Sequence, residues 1–207
     1  MRKVDPEKHE AKRQEILAAA ITCFASKGFH RTSTAEICVA AGMSSGNLFH
    51  YFPSKQAIIA AIVEMEGKEV TAYFRGIDHS SNLLEELLHF LDMVLDRGAD
   101  EAYLKLALEI AAEAMRDEQI GALAAKNDAE LQNALNSLLR NAAARGQIDP
   151  SLDPADTARW ISALIDGVFN RIAVDPAFRA QEKREMMRLL ITRFLQPPVR
   201  PKSSTRV

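Results

Sequence analysis

The segment from Ser33 to Lys55 constrains the fold more than any other part of this 207-residue chain. Ser33 is suited to cap a helix, and Glu36 follows three residues later, which is the spacing of a capping box. Gly42 can end that helix, because glycine readily adopts the left-handed conformation found at helix C-termini. Ser44 can then begin a second helix. The pattern therefore predicts two short helices joined by a tight turn.

The side chains inside these helices predict that the two cross closely. The first helix has an apolar face at helical spacing that includes Ile37, Cys38 and Ala41, and the second directs Leu48 and Phe52 inward. Cys38 and Ala41 are small, so the two helices can approach each other. This is the geometry of a helix-turn-helix, whose second helix enters the major groove of DNA.

The stretch from Gln14 to Glu64, with GFHRTSTAEICVAAGMSSGNLFHYFPSK at its centre, resembles the N-terminal domain of the tetracycline-repressor family of bacterial transcription regulators. Order, spacing and residue type agree from Phe24 to Lys55, and the ungapped match covers about a quarter of the chain. Two positions depart from the family pattern. Phe49 stands where a tyrosine is usual, and Cys38 stands where an alanine is usual.

The remainder predicts an all-α protein, because it shows long runs of helical periodicity and no strand-like alternation. With the resemblance, we expect a three-helix DNA-binding domain at 1–55 and a helical effector-binding and dimerisation domain at 56–196. Residues 197–207 are expected to form a flexible tail. The helix that begins near Ser54 starts in the first domain and ends in the second, so we expect it to link them mechanically.

Charge is distributed unevenly along the chain. The whole protein has a net charge of -2, but residues 1–60 carry eight Lys or Arg against five Asp or Glu, a net charge of +3. The rest of the chain is correspondingly acidic, at -5. A basic end on an acidic body suits a protein that contacts phosphate with one end, although a charge of +3 is within ordinary variation.

Other classes of protein are disfavoured. Acidic residues precede the one apolar run that resembles a signal peptide, and no stretch reaches the roughly eighteen apolar residues of a membrane span, so we expect a cytoplasmic protein without a membrane partner. Gly-rich phosphate loops, nucleophile motifs and metal-ligand spacings are missing from the sequence. We therefore expect no enzyme, cofactor or metal. Cys23 and Cys38 are interpreted as small buried residues, with a redox-sensing pair as the alternative.

The exposed first turns of the second short helix are expected to contact DNA. The Asn47 amide can bond an adenine edge, which is worth about 1–3 kcal/mol of discrimination, or it can simply face water. Lys55 lies at a helix N-terminus, where phosphate is favoured. Phe49 lacks the hydroxyl of the usual tyrosine, Ser33 is explained by capping alone, and Tyr51 can pack instead. The expected DNA-binding set is Thr32, Ser33, Ser44, Ser45, Gly46, Asn47, Phe49, His50, Tyr51 and Lys55.

One such helix reads few base pairs, so specificity calls for two copies on a two-fold DNA operator. Gly167 lies inside a predicted helix, where it costs stability and is best explained by a close backbone approach. We expect the last two helices to form a homodimer interface, with internal packing as the alternative. Its expected members are Trp160, Leu164, Gly167, Val168, Met187, Leu190 and Phe194.

The resemblance also implies a pocket for a small-molecule effector among the middle helices. Its candidate residues are Tyr73, Phe90, Met93, Tyr103, Glu109 and Phe169. Most are aromatic or pliable side chains of the kind that usually form plain core. Glu109 and Glu113 lie one turn apart and can hold a cationic ligand or pair with Lys105 and Arg116, and we favour the ion pairs.

Together these features predict a homodimeric, ligand-responsive transcription regulator, expected to be a repressor, which binds a palindromic operator and is released by its effector. The alternatives are a helical enzyme or a scaffold protein with a non-functional helix-turn-helix. The effector and the operator sequence cannot be read from the residues.

Overall fold

The computed structural model describes residues 5–77 and 80–196. Within these ranges the chain forms nine α-helices, one short 3-10 turn and no strand, which confirms the all-α fold. The basic arm at 1–4 and the expected tail at 197–207 lie outside the described residues. The helices are α1 Pro6–Lys27, α2 Thr34–Ala40, α3 Ser45–Tyr51, α4 Lys55–Gly76, α5 Leu83–Ala99, α6 Glu101–Ala114, α7 Glu118–Ala144, α8 Pro154–Val174 and α9 Arg184–Leu195, with the 3-10 turn Ala180–Lys183 before α9.

The first helices begin and end as their capping residues dictate. The Ser33 hydroxyl accepts the Glu36 backbone N–H at 3.2 Å, and the Glu36 carboxylate accepts the Ser33 backbone N–H at 2.8 Å. The predicted capping box is therefore confirmed. Ser44 caps α3, and Gly42 between the two helices has φ +61°, a conformation that glycine adopts without steric cost.

An N-terminal core cluster extends beyond the expected first domain. It contains the inner faces of α1, α2 and α3, represented by Phe24, Ile37 and Leu48, each fully buried. It also contains the first half of α4, Ile58–Val63, and apolar residues of α6 such as Leu106. Helices α1, α2 and α3 are thus packed directly against α4 and α6.

A second core cluster holds the body together. Its buried members come from the end of α4, from α5, α7 and α8, and from α9. Because α4 contributes Ile59 to the first cluster and Phe74 to the second, it joins the two ends of the molecule. No helix of the described residues has the length and apolarity that crossing a membrane requires.

Helices α4 and α7 are in close contact at Gly67 and Asn127. The Asn127 side chain donates a hydrogen bond to the Val63 carbonyl at 2.7 Å. A Cβ atom placed on Gly67 would lie 2.2 Å from Asn127 Oδ1 and 2.6 Å from its Cγ. The absence of a side chain at Gly67 therefore allows the Asn127 amide to reach the α4 backbone.

We predict that Gly67→Ala lowers the free energy of unfolding by about 1–3 kcal/mol, because the new methyl group displaces the Asn127 amide and breaks its bond. Gly76→Ala is the matched control in the same helix, since its Cβ would meet nothing within 4 Å. The control should be neutral or slightly stabilising. Urea unfolding of both variants measures the difference, and equal stabilities would contradict this account.

Candidate nucleic-acid interface

Helix α3 has an exposed polar face and one fully buried residue, Leu48. Leu48 is fully buried and fixes the helix against the N-terminal core, while Asn47 and His50 are exposed. Phe49 is 49% exposed, so its ring lies at the surface beside them. The first turn, Ser45 and Gly46, is exposed as well. The residues expected to contact base edges therefore share one accessible surface.

Cys38, the small residue that departs from the family pattern, lies between α2 and α3 beneath that surface. Cys38 is buried, and its Sγ lies 3.8 Å from the Ser45 hydroxyl oxygen. Cys23 is half-buried, and burial and the nearby charge of Glu36 raise the pKa of its thiol. Neither cysteine forms a disulfide in the structure.

Two residues of the expected DNA-binding set have structural roles. Tyr51 is half-buried, and its ring stacks on the His9 ring of α1 with centroids 4.6 Å apart. Thr32 is only 1% exposed, and its hydroxyl lies 2.8 Å from the Gly28 carbonyl oxygen, to which it donates. We therefore correct the set by removing Thr32, because its side chain does not reach the surface.

Lys55, which we expected to contact phosphate, has partners within the protein in this structure. Its ammonium group donates to the Phe29 carbonyl at 2.7 Å and to the Thr32 carbonyl at 2.8 Å, and it lies 4.5 Å from the centre of the Phe29 ring. Burial lowers the pKa of this amine, and the nearby Glu113 carboxylate opposes that shift. In this structure Lys55 thus holds the loop between α1 and α2.

Two carboxylates of α6 also contact this loop. Glu109 Oε2 accepts the Phe29 backbone N–H at 2.9 Å. Glu113 is 5% exposed, and its Oε2 lies 2.9 Å from His30 Nε2. We call the loop 28–33 and the three side chains that hold it, from Lys55, Glu109 and Glu113, the reader clamp.

The reader clamp overturns our interpretation of the two carboxylates. Lys105 pairs with Glu101 at 2.6 Å, and Glu113 pairs with His30 across the domains. Glu109 bonds a backbone amide of the DNA-binding end, so it leaves the expected effector set. Its contact joins residues 80 apart in the chain, and local spacing cannot reveal such a pair.

The other candidate effector residues fall into two groups. Tyr73 and Phe90 pack together with ring centroids 5.5 Å apart, and the Tyr73 hydroxyl donates to the Glu86 carbonyl at 2.9 Å. Met93 packs against the same core. Tyr103 contacts Phe169 with centroids 6.1 Å apart. The set is therefore divided between core packing and a separate aromatic pair.

Beside that aromatic pair lies an ionisable group that sequence reasoning missed. Burial raises the pKa of Glu66 on α4 to about 7, the Arg97 charge opposes this shift, and the Glu69 charge adds to it. The charge of Glu66 in turn contributes to a raised pKa of Tyr103. Glu66 lies on the long helix α4, and the sequence pattern around it does not distinguish it from an ordinary charged residue on the surface of a helix.

The last two helices carry the apolar surface expected of an interface. Trp160 on α8 is 69% exposed, and Leu190 and Phe194 on α9 are 52% and 41% exposed. An apolar groove of about 450 Å³ runs between these side chains, with Leu164 at its edge. Gly167 is exposed, and nothing in the protomer lies within 4 Å of where its Cβ would be.

Two of the expected interface residues face inward. Val168 and Met187 are 7% and 5% exposed, and both belong to the body core. They line only the floor of a neighbouring groove, so we correct their role to protomer packing. Conversely, Met186 and Leu189 are exposed on α9 and were absent from our expectation, although the 3.6-residue period places Met186, four residues before Leu190, on the same face as Leu190.

Two models of known protein families match different parts of the chain. A family model described as bacterial regulatory proteins of the tetR family matches residues 16–62. A second model, described as the C-terminal part of BetI-type transcriptional repressors, matches residues 84–196. Together the two models cover residues 16–62 and 84–196.

Individual relatives extend over most of the sequence. The HTH-type transcriptional regulator UidR of Escherichia coli K12 is 30% identical over 183 residues, which cover 86% of this chain and 90% of that protein. The HTH-type transcriptional repressor Rv1474c of Mycobacterium tuberculosis is 27% identical over 174 residues, covering 84% and 88%.

Solved structures show the same fold. Salmonella enterica GusR is 32% identical with a TM-score of 0.75, and the match covers 89% of this chain and 95% of that one. A complex of SmeT with triclosan is 22% identical with a TM-score of 0.76, covers 95% and 98%, and shares the fold. With a helix-turn-helix at one end and a helical body at the other, the chain belongs to the tetracycline-repressor family of bacterial transcription regulators.

Proposed function

We propose that this protein is a cytosolic homodimeric repressor that binds a palindromic DNA operator and leaves it when a small-molecule effector binds the body. The observation that carries this proposal is α3, whose polar first turn is exposed while Leu48 anchors it to the core. Such a helix can enter the major groove without rearranging the fold. We assign the protein no catalytic role.

The DNA contacts divide into two kinds. Asn47 and His50 lie on the face that would meet base edges, and the exposed Ser33 and Ser44 hydroxyls lie at helix N-termini, where phosphate oxygens are favoured. Phe49 supplies apolar contact only, so this protein makes one phosphate bond fewer than a tyrosine would provide.

Two copies would pair through the exposed apolar surface of α8 and α9. The pairing would cover Trp160, Leu190 and Phe194, which are otherwise in water. Large exposed apolar side chains on one face are typical of a protein interface. A two-fold arrangement presents two α3 helices to a two-fold operator.

The reader clamp provides a route for release. Lys55 is the first residue of α4, and Glu109 and Glu113 lie on α6, so both helices that hold the loop 28–33 continue into the body. An effector that shifts either helix would therefore move the DNA-binding end. Such coupling requires a part of the protein that has two alternative positions, with an equilibrium that both the effector and the DNA can shift.

We predict opposite effects for two substitutions on α3. Asn47→Ala should relax preference at one base pair of each half-site, losing about 1–3 kcal/mol of discrimination. Phe49→Tyr should strengthen binding to all sequences by roughly twofold to tenfold, because the new hydroxyl can donate to a phosphate. Binding-site selection from random DNA, followed by titration of the selected and scrambled duplexes, measures both. A uniform loss for Asn47→Ala would contradict its assignment to base readout.

We predict that Leu190→Lys converts the dimer to a monomer, because it places a charge in the centre of the proposed interface. Met115→Lys is the matched control, since Met115 is 90% exposed and lies in the turn between α6 and α7. Sedimentation velocity at micromolar concentration should show a dimer for the wild type and for the control. A dimeric Leu190→Lys variant with normal helix content would refute the interface.

We predict that Glu109→Ala increases hydrogen exchange at the Phe29 amide by about fivefold to tenfold, the value of one hydrogen bond. Glu109→Gln should retain protection, because its amide oxygen still accepts the bond. Glu101→Ala is the control on the same helix, as Glu101 pairs only with the nearby Lys105 among the described residues. If all three variants exchange alike, the reader clamp does not restrain the loop.

A further inference from the structure

A cavity of about 440 Å³ lies between the end of α4, the start of α5 and the middle of α7. Its floor is apolar and includes the buried Phe74, Leu83 and Leu138. The volume falls within the range of sites that hold small molecules, roughly 300–1,000 Å³. None of the six effector residues expected from the sequence lines this cavity.

One wall of the cavity is a row of uncharged polar side chains on α7. Asn133, Ser137 and Asn141 recur every four residues and therefore share one helix face. Their side chains have no hydrogen-bond partner elsewhere in residues 5–77 and 80–196, and all three are exposed to the opening. They leave donors and acceptors available along about two turns of helix.

The facing wall on α4 carries a cation. Arg75 and Thr71 lie one turn apart on the lining. The Glu130 carboxylate, which also lines the cavity, already accepts the Thr71 hydroxyl at 3.1 Å and lies 3.9 Å from the Lys126 ammonium. Arg75 is the basic side chain among the residues that line this cavity, and in the part of the chain that the structure describes it forms no ion pair with a carboxylate.

A polar groove continues from this cavity along α4 and α7. It shares Thr71, Arg75 and Glu130 with the cavity and adds the basic side chains Lys68 and Lys126 and the acidic Glu64. Three basic groups against two acidic groups give the groove a net positive charge. A negatively charged ligand is therefore favoured over a cation at this face.

We propose that the effector of this protein is a small anion with an apolar portion and hydrogen-bonding substituents, bound in the α4–α7 cavity with Arg75 as its ion-pair partner. This inference rests on the proposed function, since it assigns a ligand class to the effector. The apolar portion covers Phe74 and Leu138, and the row of Asn133, Ser137 and Asn141 bonds the polar substituents.

The position of the cavity suits a signal to DNA. Arg75 lies at the C-terminal end of α4, and Lys55 lies at its N-terminal end, where it holds the reader clamp. A ligand bound between α4 and α7 contacts α4, the same helix whose first residue, Lys55, holds the loop before α2. Binding at one end of α4 therefore biases the position of the other end.

A pair of matched dyes tests the ligand class. We would titrate the dimeric protein with anionic 1-anilinonaphthalene-8-sulfonate and with neutral N-phenyl-1-naphthylamine, which lacks the sulfonate. The anion should bind at least about fivefold more tightly, the effect of a charge-assisted bond. Arg75→Gln should abolish this preference, whereas the α7 control Arg140→Gln should keep it. Ser137→Phe, which fills the cavity, should weaken both dyes.

The outcomes separate this inference from the proposed function. Equal affinities for the two dyes, equal effects of Arg75→Gln and Arg140→Gln, or unchanged dye binding in Ser137→Phe would each overturn the ligand class and its site. Operator binding is measured on the same samples without dye. If operator binding persists while the anion preference is missing, the ligand class is wrong and the repressor function stands. If the anion preference is present without any operator binding, the repressor function fails.

Discussion

The arrangement of this protein depends on how the loop between α1 and α2 is held. Lys55 donates to three of its carbonyl groups, Glu109 binds the Phe29 amide, and Glu113 pairs with His30. Backbone groups in a loop need partners, and here the partners come from α4 and α6, which also contribute apolar residues to the N-terminal core. The DNA-binding end is therefore fixed by polar contacts as well as by its apolar core, and those contacts have strict geometric requirements.

Helices α4 and α6 therefore have two roles, packing in the N-terminal core and holding the loop between α1 and α2. Each helix contributes apolar side chains to the N-terminal core, and the loop is contacted by one charged side chain of α4 and two of α6. Their opposite ends lie in the body, α4 beside the anion-binding cavity and α6 beside the Tyr103–Phe169 pair and the buried carboxyl of Glu66. A domain boundary drawn at residue 55 describes the sequence motif, whereas the packing unit continues through the first half of α4.

The sequence predicted the features that depend on neighbours along the chain. Helix caps at Ser33, Ser44 and Ser54, the buried Leu48 and the exposed α3 face follow from short-range periodicity and capping chemistry. Lys55 was expected to contact phosphate, and its bonds to the Phe29 and Thr32 carbonyls could not be read from the sequence, because they join residues 26 and 23 positions apart. The same is true of Glu109 and Glu113, and of Val168 and Met187, whose helices have apolar residues on more than one face. Only the packing of helices far apart in the chain decides which face is covered.

Gly28 shows how tightly the two ends of the molecule are matched. Its φ of +80° suits only glycine without strain, and a Cβ there would lie 3.0 Å from the Glu109 carboxylate oxygen. Chimeric regulators that join the DNA-binding end of one family member to the body of another must therefore transfer this corner as a unit. A donor domain with any other residue at this position would meet the acidic side chain of the recipient, and the hybrid would need both partners exchanged together.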